Sequence, residues 1–330
     1  MGVSQRKSYV ALAARVCVVS LFVMAAGCKR QQVATGLVHV KLQTDWYPQP
    51  EMGGFYEAQM EGLYKARGLD VSIVPGGPFV VAEQQVASGA AQFAMGSSDL
   101  VLVDVSRGLP LVAVAATMQQ DPQAVMLHAE SPVRNFPDLE GHTIAAKPGS
   151  IWFQYLLKRY ALKNVKEIPA TYSVANFLQD PGYIQQSFVT SEPYFATKAG
   201  AKVRTLLISA TGYQPYRVVF TSRNFLVQHP DTVAKFVEAS LQGWHDYLED
   251  PTEVNAELTR LNPAMSQEQM KFSVETLKAG HFIDGDSTAE SHLGHFTPDR
   301  WTATYRQLLE LGVISRQIDP ASAYTTQFVR

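Results

Sequence analysis

The chain has 330 residues, a formal net charge of -2, 46% hydrophobic and 18% charged residues. This composition excludes a disordered chain, and the near-neutral charge gives no basis for nucleic-acid binding. After removal of a leader, about three hundred residues remain, enough for two lobes with their own cores.

The first element is an export signal. Arg6, Lys7 and Arg15 open it, an apolar run from Val16 to Ala26 follows, and Ala25-Ala26-Gly27-Cys28 closes it. Such a run is too short for a permanent membrane helix, and the order of segments is that of a cleaved signal, 1–27, with a lipoprotein box. Cleavage before Cys28 would leave that thiol to carry the lipid; an ordinary cleaved signal with an incidental cysteine is the alternative. The chain's other cysteine, Cys17, leaves with the signal, so the mature chain forms no internal disulfide. Residues 28–36 read as a lipidated tether on the extracytoplasmic face.

The body alternates strand and helix signals. Strands are expected at Val38–Leu42, Leu69–Val74, Gln92–Met95 and Leu111–Thr117, with helices at Gly54–Ala66, Val80–Ala87 and Leu100–Ser106 between them. This rhythm implies a largely parallel sheet with helices on both faces. A similar rhythm restarts with strands at Ala124–His128, Thr143–Ala146, Ser187–Val189 and Val203–Ile208. Its helices are Ile151–Tyr160 and one opened by Pro193 and closed at Gly200. Val218–Thr221 reads as a strand crossing back, and the rest is mostly helical: Asp231–Leu248, Pro251–Arg260, Ser266–Lys278 and Pro298–Leu311. The expected fold is α/β with two lobes joined by crossing strands, 37–126 with 219–330 as lobe 1 and 127–218 as lobe 2.

A cleft between such lobes forms at the C-terminal ends of strands, where helix N-termini point inward. Gly96-Ser97-Ser98-Asp99 and Pro148-Gly149-Ser150 fall at two such ends, one in each lobe. Their hydroxyls and amides can bind a ligand's polar edge, although the same residues also suit plain helix capping. Neither loop has a phosphate-loop ending. Asp45-Trp46 follows the first strand and offers an indole for stacking beside a carboxylate. Glu192 and Tyr194 sit at a loop–helix junction, and Tyr213, Tyr216 and Arg217 fall where the lobes join. Asp284, Asp286, Glu290, His292 and His295 have no strong ligand spacing, so the stretch reads as a polar loop and no metal site is expected. No nucleophile motif or Cys/His pair points to catalysis.

These residues carry a resemblance. Asp45-Trp46-x-Pro48, Gly54-x-Tyr56-x-Ala58, Gly62-x-Tyr64-x-x-x-Gly68-Leu69-Asp70-Val71, Ser88-Gly89, Arg107-Gly108-Leu109-Pro110 and Ser191-Glu192-Pro193-Tyr194 resemble elements of one family. It is the solute-binding lipoproteins of ABC importers in the thiamine-pyrimidine-precursor, alkanesulfonate and taurine group, matched from about Leu37 to Ile314. The resemblance implies a type II periplasmic-binding-protein fold that closes on a small planar heteroaromatic ligand, held by Trp46 stacking and by Asp45 or Glu192 accepting N–H bonds. Ser97, Ser98, Gly149 and Ser150 would hold polar substituents, and Tyr56, Tyr194, Tyr213 and Tyr216 complete the implied site. It further implies a monomer without cofactor whose partners are the ligand, an inner-membrane permease and the membrane through its lipid. Met52 stands where precursor-binding members have histidine, and no basic pair suits a sulfonate. Riboflavin, sulfonate or nitrate binding is the alternative within the fold, and ligand sensing without delivery is a third role. A pyridoxal-phosphate-using pyrimidine synthase shares the fold family; its cofactor lysine and histidine would fall at Gly96 and Leu100, and its cysteine-rich run has no counterpart.

Overall fold

The computed structural model describes residues 36–285 and 292–329. The export signal, Cys28 and nearly all of the tether lie outside them, as do Asp286 and Glu290. Residues 37–330 form one compact unit.

Two five-stranded sheets organise it. The first contains β1 (Val38–Gln43), β2 (Leu69–Val74), β3 (Phe93–Ser97), β4 (Leu111–Met118) and, from far along the chain, β10 (Arg217–Ser222), in the order β2-β1-β3-β10-β4. Its intervening helices are α1 (Gly53–Met60), α2 (Leu63–Ala66), α3 (Ala82–Ala87) and α4 (Ser98–Ser106). The second sheet contains β5 (Gln123–His128), β6 (Thr143–Ala146), β7 (Lys166–Pro169), β8 (Ile184–Phe188) and β9 (Val203–Leu207), in the order β7-β6-β8-β5-β9, with helices α5 (Ile151–Arg159), α6 (Ala175–Gln179) and α7 (Glu192–Lys198). Then α8 (Arg223–Gln228), α9 (Pro230–Glu249), α10 (Thr252–Leu261), α11 (Gln267–Ala279) and α12 (Pro298–Leu311) follow β10.

Each sheet is parallel except for one strand. β10 runs antiparallel between β3 and β4, and β5 antiparallel between β8 and β9. Both strands therefore belong wholly to one sheet. The expected boundaries within Met126 and Val218 shift accordingly: the chain crosses between sheets at 119–122 and again at 212–216. The connections cross, not the strands, because strand alternation shows burial and not which sheet a strand joins.

Gly62, at φ 70, splits the expected single helix 54–66 into α1 and α2. β7, α6 and α8 carried no sequence signal that marked them as elements. α9 packs its buried stripe of Val233, Phe236, Val237, Ser240, Trp244 and Tyr247 at helical spacing against α1 and the first sheet. Phe236 stacks on Phe93 with ring centroids 3.8 Å apart. This layer packs against the first sheet.

Candidate functional site

A cavity of about 300 Å³ opens where the strand ends of the two sheets face each other, lined from both halves. From the first half come Asp45 and Trp46, after β1, and Glu51 and Met52 of a 3-10 turn. Local hydrogen bonds fix the β1 exit: the Thr44 hydroxyl donates to Trp46 O (2.8 Å) and accepts the Gly76 N–H (3.0 Å). Only glycine fits at 76, since a Cβ there would lie 2.3 Å from Thr44 O. Gly96, Ser97 and Asp99 line the cavity at the β3–α4 junction. Ser97 is the N-cap of α4 but makes no side-chain cap bond.

The opposing wall comes from the second half. Gly149 and Ser150 precede α5, and Gly149 has φ 76, a left-handed conformation that suits glycine. The Ser150 hydroxyl donates to Lys147 O (2.6 Å) and does not cap α5. Glu192 opens α7 and accepts the Phe188 N–H (2.8 Å). Tyr172, between β7 and α6, reaches across to Trp46, with centroids 5.1 Å apart and planes tilted by 54°. Tyr172 holds φ 53, a left-handed backbone unusual for an aromatic residue. Such strain clusters at functional sites and costs about 1–3 kcal/mol.

The cavity is acidic. Asp45, Glu51, Glu83, Asp99, Asp121 and Glu192 line it. Arg217 pairs with Asp45. Burial opposes the Arg217 charge, but Asp45 and Asp121 outweigh it and hold its pKa above the ordinary value. Burial pushes Glu51, Asp99 and Asp121 up. The Tyr213 hydroxyl donates to Asp99. Burial pushes Glu83 and Glu192 up to about 7, Glu192 with help from Glu51 and Glu83 from Asp104 and Asp45 against Lys147.

The last two shifts give a stability prediction. Each folded carboxyl keeps its proton between the unfolded value of 4.5 and about 7, where the unfolded chain has lost it. This contribution is complete below pH 4.5 and disappears as pH rises through 7. Thermal melts of ligand-free protein should show the Glu83→Gln/Glu192→Gln double variant losing less stability than wild type between pH 5 and 8. Equal slopes would contradict these assignments.

Of the residues expected from the sequence, Asp45, Trp46, Ser97, Gly149, Ser150, Glu192 and Tyr213 come together on this cavity. Four do not line it. Tyr56 is 3% exposed in the core behind α1. Its Gly54-x-Tyr56-x-Ala58 element is a helix-packing motif: Gly54 meets Trp244, and Ala58 meets Gly243. The Ser98 hydroxyl accepts the Tyr216 N–H while Ser98 N–H donates to Tyr216 O, both at 2.9 Å, so Ser98 ties β3 to the segment entering β10. Tyr216 lies under Arg300, whose guanidinium carbon is 3.8 Å from the ring centroid. Tyr194 meets Ser266 and Glu268 of the α11 N-terminal turn, outside the cavity. In each case tertiary packing claims a side chain that sequence position alone left free.

Sequence reasoning missed Glu51, Glu83, Asp121, Trp152 and Tyr172, all lining the cavity. Glu51 adjoins Met52, where the family pattern breaks, and that departure was a usable signal. Tyr172 lay in a stretch with no readable element. In the loop before α12, Gln119 donates to the carbonyls of His292 (2.6 Å) and His295 (3.1 Å), so backbone anchors it.

Two α/β halves facing one lined cleft define a protein of the periplasmic-binding-protein fold. The aliphatic sulphonate-binding protein SsuA of Escherichia coli has this architecture at TM-score 0.68 and 14% identity, over 88% of this chain and 94% of that one. The chain belongs to the NMT1/THI5 like family, whose sequence profile matches residues 49–254. It is similar to the riboflavin-binding protein RibY of Chloroflexus aurantiacus, at 27% identity over 89% of this chain and 86% of RibY. The formylaminopyrimidine-binding protein of Halalkalibacterium halodurans is 25% identical over 76% of this chain and 82% of its own. At the same 25% identity stands the 4-amino-5-hydroxymethyl-2-methylpyrimidine phosphate synthase THI11 of Saccharomyces cerevisiae, over 68% and 71%.

Proposed function

We propose that the protein is the extracytoplasmic binding component of an ABC importer, anchored through a lipid on Cys28, and that it captures a flat nitrogen heterocycle between its two halves. The observation that carries this reading is the meeting of Trp46 and Tyr172, one from each half, on the wall of an acid-lined cavity. The two rings form an aromatic wall on which a planar guest can stack, and carboxylates accept its N–H groups. Closure is favoured by contacts that an open form lacks, and the closed form docks on an inner-membrane permease. The similarity to riboflavin- and pyrimidine-binding proteins supports the ligand class. A single pyrimidine precursor is the first reading. A flavin is the second, favoured by the additional aromatic wall of Trp152 and by a volume of about 300 Å³, which lies within the ~300–1,000 Å³ of small-molecule sites.

Capture without chemistry fits the residues better than the synthase activity. Gly96 lines the cavity where that enzyme's lysine would fall, and a Cβ there would lie 3.0 Å from the Phe220 ring and 3.2 Å from Glu83. Calorimetry with riboflavin, 4-amino-5-hydroxymethyl-2-methylpyrimidine, taurine and nitrate tests the reading: a heterocycle should bind, the anion should not. Trp46→Ala and Glu192→Gln should each weaken that binding roughly 10- to 100-fold, from lost stacking and burial and from a lost charged acceptor. Unchanged affinity in both variants would remove the site. Labelling with radioactive palmitate, abolished by Cys28→Ala, tests the anchor.

A further inference from the structure

We infer that Glu51 and Glu192, one carboxylate from each half of the cleft, form a seat for a positive charge, so that the ligand presents a protonated amine or amidine edge to them. This rests on the cavity being the binding site, as proposed above. Glu51 is 2% exposed and lies in the turn before α1. One of its oxygens accepts the Thr190 hydroxyl from the second half. Thr190 stands two residues before Glu192, so the two carboxylates approach the cavity from opposite sides at one place. The other Glu51 oxygen is buried with no hydrogen-bond partner, and so are Asp45 Oδ1 and the Ser187 hydroxyl, all on lining residues.

Unmet buried acceptors cost free energy until a donor arrives. The protein supplies little to meet them. Among the described residues lining the cavity, the side chains that are positive at neutral pH are Arg217 and Lys147. Arg217 is paired with Asp45, and Lys147 is exposed. Six lining carboxyl groups thus face two cations. An anionic ligand opposes ionisation of these acids and supplies no donor to them. A neutral one supplies donors without compensating charge. A cation does both: it stabilises the ionised forms of Glu51 and Glu192, which burial otherwise holds toward the protonated state.

The test is a matched series on one ring. Full-length mature protein is titrated calorimetrically at pH 7 with 4-amino-2-methylpyrimidine carrying aminomethyl, hydroxymethyl or phosphooxymethyl at C5. The aminomethyl compound should bind at least about tenfold more tightly than the hydroxymethyl compound, and the phosphate should bind more weakly than either. Glu51→Gln, nearly isosteric, should bring the aminomethyl-to-hydroxymethyl ratio to within about threefold of unity. Equal affinity for the aminomethyl and hydroxymethyl compounds in wild type overturns the cation seat and leaves the heterocycle reading standing. A persistent preference in Glu51→Gln overturns the role of Glu51. Tightest binding of the phosphate overturns the inference outright, and failure of all three compounds to bind overturns both it and the pyrimidine reading.

Discussion

Arg217→Ala should destabilise the ligand-free protein by about 3 kcal/mol or more at pH 8, within the ~3–5 kcal/mol typical of breaking a buried ion pair from one side. Arg217 is 9% exposed, is bonded to Asp45, and is the cation that draws Asp99 and Asp121 toward their ionised forms. Its loss leaves Asp45 and Asp99 without their guanidinium partner and Asp121 with only the weaker pull of Arg300. Asp45 keeps 27% of its side chain exposed, so water screens part of the loss and places the expectation near the lower bound. The deficit should shrink as pH is lowered. Burial already raises the pKa of Asp99 and Asp121, and removal of the guanidinium raises it further, so both take up protons earlier. Urea denaturation at pH 8 and pH 5 measures this. A deficit below about 1 kcal/mol at both values would mean that the network is solvated like a surface pair.

Gly54→Ala should cost about 3 kcal/mol or more, the upper range for overpacking a core. An added Cβ would lie 2.2 Å from Trp244 Cγ and 2.5 Å from its Cα. A Cβ added at the reciprocal glycine, Gly243, would lie 2.3 Å from Gly54 O and 2.7 Å from the Ala58 Cβ. Backbone cannot swing aside as a flexible side chain does, so α1 and α9 must separate. Alanine's better helix propensity returns only ~1 kcal/mol. Melting should therefore drop sharply. A variant as stable as wild type would show that the two helices are not in backbone contact.

The Gly54 region also shows where reading from sequence reached its limit. Gly54, Tyr56 and Ala58 form a recognisable pattern, and a pattern carries no statement of which face of a helix looks at a ligand. Tyr56 therefore read as a site residue, whereas the structure buries it in the core of the first half. Residues whose position follows from their immediate neighbours were legible. Trp46 leaves β1 at a strand end, Gly149 needs a left-handed backbone, and Glu192 opens a helix beside Pro193; all three line the cavity.

Glu51, Asp121 and Tyr172 were not legible, because each matters only through what it faces. Glu51 gains meaning from Thr190 of the other half, and Tyr172 from Trp46. The boundary between halves was misplaced for the same reason. β5 and β10 read as buried runs like other strands, and only long-range pairing, Gln123 with Phe188 and Arg217 with Ser97, assigns each to its sheet.

By itself the sequence determined the α/β rhythm, the repetition of that rhythm and the loops at strand ends, since these follow from local periodicity, glycine conformation and helix capping. Tertiary structure alone decided which acids share one cavity, which tyrosines are core, and which rings meet across the cleft. Those depend on distances between residues far apart in the chain, and burial converts such distances into charge repulsion, shifted protonation and packing that no local window contains.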